Sequence, residues 1–258
     1  MSRYIEDRLP RPPIDPATID SVLLDECFVD SQAFEVDPSE FRTFDRFDHT
    51  IAIAEDEAAH IRAHTRKTAV VTMPMTSSTH EIGNTWNGPA VFPTGPTVFN
   101  LQGYLWFVGR VLPTIREQVP DFELRMTGWW AERVVPEPNV VAVPFIPSIT
   151  DLYADARFLV CPLLTLTGQQ VKVVEAMAHG VAPIVTAKVA TRSPIEHGRN
   201  GLIATSAEGF AEHVIALWQD AERRAELGQA ARLTVETTCA PQQLVLGLDL
   251  LLTKGQPG

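Results

Sequence analysis

The chain has 258 residues, of which 45% are hydrophobic and 21% charged, and its formal net charge at pH 7 is −11. This length and composition are typical of one large or two small globular domains, and they exclude a disordered or fibrous chain. Because an acidic chain without a cluster of Lys and Arg lacks a basic face, we expect it to bind neither nucleic acid nor anionic lipid.

The cysteines and the N-terminus bear on the compartment. Cys27, Cys161 and Cys239 are widely separated and have no paired-thiol spacing, so we expect reduced, mostly buried thiols rather than a zinc or redox motif. The N-terminus is too charged for a signal peptide, and the sequence has no run of about 18 apolar residues. These features predict a cytoplasmic protein without a transmembrane segment.

The first part of the chain predicts a strand, a helix and a second strand. The apolar runs at 50–54 and 68–73 indicate buried strands, and residues 55–64 indicate a helix that begins with three acids suited to the positive end of its dipole. Turn-forming residues then predict a linker. We therefore expect a small lobe over residues 1–75, a linker over 76–87 and a larger domain over 88–258.

In the larger domain, apolar strands alternate with helical patterns. Strands are predicted at 90–92, 122–127, 140–143, 158–161 and 181–186, and helices at 98–118, near 152, at 169–179, 207–218, 220–237 and 241–253. This alternation indicates an α/β fold whose parallel sheet is covered on both faces and binds ligands beyond the carboxyl ends of its strands. The last helix carries an apolar stripe that we interpret as core, made of Leu244, Val245, Leu248, Leu251 and Leu252.

The segment 158–186 combines features of an anion site. A strand leads into a turn with Gly168, and a helix follows that ends at Gly180. Free amides at such a helix start attract anions, Lys172 can add a charge-assisted contact to a phosphate, and Glu175 lies on the same face, where a ribose diol would be a partner. The spacing equally allows a Lys172–Glu175 salt bridge on a solvated helix face.

The run that starts at Glu175 and continues Ala-Met-Ala-His-Gly-Val-Ala-Pro-Ile-Val resembles the donor-site signature of family 4 glycosyltransferases. The segments 49–74, 100–113, 120–128, 152–156 and 197–202 are also similar to that family, so the resemblance covers about 45–240. It implies a GT-B-like fold, with a Rossmann-like donor domain and a reduced second Rossmann-like lobe.

The resemblance also implies roles for individual residues. Glu175 would bind the ribose hydroxyls, the amides around Gly168 would face sugar and diphosphate, and backbone groups at Phe145 and Ile146 would contact the nucleobase. Lys172 and Glu175 are the candidate catalytic residues. The candidate donor-binding residues are Thr167, Gly168, Gln169, Gln170, Lys172, Glu175, Phe145 and Ile146.

The activity that this implies is retaining transfer of a hexose from a UDP- or GDP-sugar to an acceptor, without a cofactor or a tightly held metal. His60 and His64 are four apart on a predicted helix, but no third ligand with zinc spacing follows them.

Three departures from the family pattern support an alternative function. Thr167 stands where the family has the first glutamate of a pair, Lys172 is the only cation expected at the diphosphate, and residues 1–75 are too few for a complete acceptor lobe. In a further departure from the family pattern, the segment 188–192 stands where a pair of glycines is expected. The alternative is a non-catalytic module that binds a nucleotide sugar or supports a partner chain, and such a partner would complete the acceptor lobe.

Overall fold

A computed structural model describes residues 12–18, 38–79, 84–135, 137–166 and 168–254, so Thr167 and Cys27 lie outside the described residues. The described chain forms two parallel sheets, one of two strands and one of six. The α/β prediction is therefore confirmed, and the sheets set the positions of all the candidate site residues that are described.

The smaller sheet is a β-α-β unit. Helix α1 (Pro38–Phe44) precedes β1 (His49–Ala52), α2 (Glu55–His64) and β2 (Ala69–Thr72). Strands β1 and β2 are parallel, with His49 opposite Ala69 and Ala52 opposite Thr72. The predicted strand, helix and strand are confirmed to within about two residues, the usual uncertainty of element ends.

The larger sheet has the strand order β5-β4-β3-β6-β7-β8, with every neighbouring pair parallel. Its strands are β3 (Ala90–Thr94), β4 (Leu124–Gly128), β5 (Val140–Val143), β6 (Leu159–Cys161), β7 (Pro183–Thr186) and β8 (Leu202–Ala204). The order reverses between β3 and β6. Sheets of this kind bind ligands at such a reversal, outside the carboxyl ends of the strands.

Helices cover both faces of this sheet. They are α3 (Val98–Trp106), α4 (Leu112–Gln118), α5 (Ile149–Tyr153), α6 (Val171–Ala178), α7 (Ala187–Ala190), α8 (Ala207–Gln219), α9 (Ala221–Thr238) and α10 (Pro241–Lys254). Every residue of β6 and β7 is buried, as expected for central strands packed on both sides. Helix α8 shows the matching helical pattern, because Phe210, Val214 and Leu217 form its buried stripe and the Ser206 side chain caps its start at Gly209 N.

The helix predicted over 98–118 is confirmed as one helical run with those ends, and it contains a π-helical turn at Phe107–Val111. Pro113 lies two residues after this turn, and it has no N–H to continue a regular helix. The prediction that the apolar stripe of α10 is core is wrong where its side chains are described, because Leu244, Val245 and Leu248 are 38%, 57% and 38% exposed.

Helix α10 packs instead against the small sheet, since a Cβ at Gly247 would lie 3.2 Å from Met73 Cε, just beyond β2. Cys161 and Cys239 are free and buried, as expected. Within the described part of the chain, no helix is long and apolar enough to span a membrane.

Candidate functional site

The candidate site is built on the loop from β6 to α6. Strand β6 ends at Cys161, and α6 begins at Val171. Helix α6 is fixed in the core by Val173, Val174 and Met177, all fully buried. Lys172 and Glu175 belong to its less buried face. This anchoring holds both side chains beside the reversal in strand order.

Gly168 has a backbone conformation that favours glycine. Its φ is +62°. A Cβ there would also lie 2.8 Å from Ile53 Cδ1, in the part of the chain that forms β1, α2 and β2 and is here called the small lobe. Its amide donates a hydrogen bond of 2.8 Å to Glu57 Oε1. The amide that sequence analysis assigns to a diphosphate is therefore bonded to a carboxylate of the same chain.

Gln169 also contacts the small lobe. Its Oε1 accepts a hydrogen bond of 2.6 Å from Met75 N, and the residue is buried. Gln170 is the last residue before α6 and has an extended backbone. Among the described residues, no acceptor bonds to the backbone amides of Gln169 or Gln170. These two amides, next to the helix start, are available to donate to an anion.

The side chain of Lys172 contacts the start of α3. Its Nζ donates to Asn100 Oδ1 and lies 4.9 Å from the centre of the Phe92 ring. Asn100 in turn donates to Thr97 Oγ1 at 2.8 Å, which fixes its amide group. Burial lowers the pKa of Lys172 to about 8. Sequence reasoning missed Asn100 as the residue that positions this amine.

Glu175 is a partly buried carboxylate. Its side chain makes no hydrogen bond or ion pair with any described residue, so the alternative of a Lys172–Glu175 salt bridge on a wet face is wrong. Burial raises the pKa of Glu175, and the charge of Lys172 acts in the opposite direction. A carboxylate in such surroundings gains stability from hydroxyl or N–H donors, and a ligand with a diol would supply them.

Arg192 is a second cation near this loop, where it pairs with two acids of α2. Its Nη1 lies 3.0 Å from Glu57 Oε1, and its Nε donates to Asp56 Oδ2 at 2.8 Å. Its side chain is only 14% exposed. The sequence signal was the replacement of the expected glycine pair by the segment 188–192, but no local pattern indicates which acids that arginine meets.

The residues predicted to contact the nucleobase lie several strands away from the β6–α6 loop, along the same sheet. Phe145 and Ile146 follow β5, which β4 and β3 separate from β6. Phe145 is 75% exposed, whereas Ile146 packs against the core. The structure thus brings Gly168, Gln169, Lys172 and Glu175 together on one loop and helix, and it places Phe145 at the other end of the same edge.

The two histidines of α2 pack with an aromatic ring. The ring of His64 stacks on Phe41 with 4.6 Å between centres, and its Nδ1 bonds to His60 O at 2.8 Å. In the ranges that the structure describes, no three or more His, Cys, Asp or Glu side chains group as metal ligands.

Two cavities border the site. One of about 240 Å³ lies between the two sheets, and its lining includes Ile53, Gln169 and Arg192. The other, of about 370 Å³, lies beyond the carboxyl ends of β7 and β8, and Lys188 and Ser206 contribute to its lining.

A family model described as "Glycosyl transferases group 1" matches residues 88–220. An uncharacterized 44.6 kDa protein of the cps region in Klebsiella pneumoniae is 23% identical over 128 residues, which are 45% of this chain and 33% of that protein.

Two solved structures share the fold at low identity. Sucrose-phosphate synthase from Thermosynechococcus elongatus has a TM-score of 0.63 and 17% identity, covering 88% of this chain and 64% of that one. A mutant of S. aureus TarM, in complex with Fondaparinux, alpha-GlcNAc-glycerol and UDP, has a TM-score of 0.70 and 15% identity, covering 86% of this chain and 48% of that one. The chain therefore spans about half to two thirds of the length of these solved chains, and a third of the Klebsiella protein.

Proposed function

The chain belongs to the group 1 glycosyltransferases, and we propose that it binds a nucleotide sugar and transfers the sugar to an acceptor. The observation that carries this proposal is Glu175, a partly buried carboxylate without a bonded partner among the described residues, three residues after Lys172 at the start of α6. A ribose diol and a diphosphate, held side by side, match these two groups. We further propose that the sugar is a hexose, that UDP or GDP carries it, and that no separate cofactor takes part.

In this proposal, the chemistry is supplied by groups that bind the departing diphosphate. The bond from the sugar's anomeric carbon to the phosphate oxygen breaks, and an acceptor oxygen bonds to that carbon on the same face, with retention. The acceptor's proton passes to the released phosphate. Negative charge grows on the diphosphate in this step, where the amides of Gln169 and Gln170 and the Lys172 ammonium stabilise it.

Other residues of the proposed site bind the ribose, the base and the sugar of the donor. Glu175 accepts hydrogen bonds from the ribose hydroxyls, and backbone groups at Phe145 and Ile146 contact the base. Thr167, which lies outside the described residues, contacts the sugar in this proposal. UDP in the TarM structure makes a uridine nucleotide the first ligand to test here.

A second candidate function is a non-catalytic module that binds a nucleotide sugar or supports a partner chain. Two observations favour it. Within the described ranges, the small sheet has two strands, and Glu57 Oε1 accepts the hydrogen bond of the Gly168 amide. A partner chain that completes the acceptor side is compatible with both candidate functions. Release of UDP or GDP from the matching nucleotide sugar, with and without candidate acceptors, separates turnover from binding.

The test of the donor site is Glu175→Ala. A thermal-shift screen of UDP, GDP, ADP and their sugars first identifies the ligand, because a ligand that binds only the folded state raises its stability. Calorimetry should then show that Glu175→Ala weakens binding of that nucleotide by about 1 to 3 kcal/mol, the scale for a hydrogen bond to a charged group.

Glu212→Ala is the matched control, since Glu212 is an exposed acid on α8. It should bind the nucleotide as the wild type does. Equal affinity of Glu175→Ala and wild type would show that Glu175 does not hold the ribose.

A further inference from the structure

We infer that Arg192 binds the donor's diphosphate and that Glu57 occupies the place of a phosphate oxygen until the donor arrives. This inference rests on the proposed function, because it assigns two more residues to the same donor site. Neither residue belongs to the loop and helix from which that site was predicted.

One oxygen atom, Glu57 Oε1, contacts two groups that could bind a phosphate. Glu57 Oε1 accepts from Gly168 N at 2.8 Å and lies 3.0 Å from Arg192 Nη1. A backbone amide of a glycine turn together with a guanidinium is a donor set typical of phosphate recognition. The Glu57 carboxylate is therefore held as an anionic ligand would be.

Burial makes an anion necessary at this point. The Arg192 side chain is 14% exposed, compared with 31% for Glu57 and 56% for Asp56. A guanidinium this buried is costly without a negative partner. Since both of its acidic partners lie on α2, any movement of α2 away from the loop leaves Arg192 and the Gly168 amide in need of a new anion. A diphosphate supplies several oxygens for them.

The three groups come from separate parts of the chain. Glu57 lies on α2 of the small lobe, Gly168 on the β6–α6 loop, and Arg192 just after α7. They meet beside the cavity of about 240 Å³ between the two sheets, which Gln169 also lines. Entry of a diphosphate at this loop is thereby coupled to release of α2.

A simple contact between the lobes would give the same hydrogen bonds, but the two explanations predict different effects of Glu57→Gln: tighter ligand binding if Glu57 competes with the diphosphate, and no tighter binding if Glu57 only joins the lobes. If Glu57 competes with the diphosphate, removal of its charge leaves Arg192 Nη1 without a charged acceptor and weakens the acceptor of the Gly168 amide, while Asp56 still holds the rest of the guanidinium. Calorimetry with UDP and with inorganic pyrophosphate should then show binding about tenfold tighter than wild type, the scale of one charge-assisted hydrogen bond. Arg192→Gln should weaken both ligands by about as much.

Glu40→Gln is the control, because it makes the same change of charge at an exposed position of the small lobe. It should leave both dissociation constants unchanged. If Glu57→Gln fails to fold, Glu57→Asp carries the same expectation, since its shorter carboxylate reaches the Gly168 amide less well.

Each result decides between the proposals. If wild type binds UDP and Glu175→Ala weakens it, the proposed function stands, and a Glu57→Gln variant that binds no tighter than Glu40→Gln overturns this inference alone. An Arg192→Gln variant with wild-type affinity also overturns it. If neither wild type nor Glu57→Gln binds any of the nucleoside diphosphates, both the inference and the proposed function are wrong.

Discussion

Lys172 is the residue of the proposed donor site whose protonation state most directly limits ligand binding. Its amine is buried against Phe92 and bonded to Asn100, and burial lowers its pKa to about 8 from an ordinary value of 10.5. In the free protein, the ammonium therefore loses its proton just above neutral pH. The pKa of Glu175 is shifted the other way, upward, by burial. In the proposed donor site, diphosphate binding would need the charged amine of Lys172, and ribose binding would need the ionised carboxylate of Glu175.

We therefore predict that UDP binds best between the two pKa values. Above pH 8, the dissociation constant should rise by up to about tenfold per pH unit, as expected when a ligand requires the protonated form of a single group. Below the pKa of Glu175, it should rise again as the carboxylate becomes protonated. Calorimetry from pH 4 to about 9.5 covers both limbs. In Lys172→Arg the guanidinium stays charged, so a variant that retains the alkaline limb would assign that limb to another group.

As the pH rises above 8, deprotonation of Lys172 is expected to weaken ligand binding but to increase the stability of the fold. The two effects can therefore be measured separately. Between about pH 8 and 10.5 the unfolded state holds more protons at this residue than the folded state does, so its contribution favours folding increasingly as the pH rises. A loss of affinity at pH 9 that this residue causes is therefore not unfolding. Thermal melts over the same pH range provide that check.

At the scale of elements, the position of α6 depends on its contact with α9. Gly180 ends α6 with a φ of +67°, and its carbonyl oxygen would lie 2.1 Å from a Cβ at Gly228 in α9. Gly228→Ala should therefore force the helices apart and destabilise the fold by about 1 to 3 kcal/mol, the scale of overpacking. Urea unfolding measures this loss.

Gly209→Ala is the matched control for that substitution. Gly209 lies in the first turn of α8, and a Cβ there would be 3.6 Å from Ser206 Oγ, an ordinary contact. The same chemical change should be neutral or stabilise by about 0.4 to 1 kcal/mol, because alanine suits a helix better. Equal loss in both variants would remove the close approach of α6 and α9 as the cause.

Elements with a strong local pattern were predictable, and contacts between distant segments were not. Strands β6 and β7 are continuous apolar runs, and α6 lies between a glycine turn and Gly180, so their positions followed from the sequence. The π-helical turn needs knowledge of the packing around Pro113. The contact of Glu57 with Arg192 joins residues 135 positions apart, and local periodicity carries no information about it. The exposure of α10 was missed because an apolar stripe does not show what covers it.

At the scale of the whole molecule, the two sheets differ in how well they are supported. The large sheet has six strands and buried central strands, whereas β1 and β2 have four residues each and β1 leaves Ile51 48% exposed. A two-stranded sheet is marginal alone, so the small lobe depends on contacts such as Arg192 with α2 and Met73 with α10. The small lobe, which bears Glu57, is thus the less strongly supported of the two.

We predict that the small lobe opens without global unfolding. In hydrogen–deuterium exchange, amides of β1 and β2 should exchange at least about a hundredfold faster than those of β6 and β7, because local opening needs less free energy where little apolar surface is buried. Strand β8 is the internal control, since it has only three residues at the edge of the large sheet. If β8 exchanges as fast as β1, edge position rather than lobe explains the difference. Exchange of β1 and β2 at the rate of β6 would mean that both lobes unfold as one unit, and release of Glu57 by local opening would then be excluded.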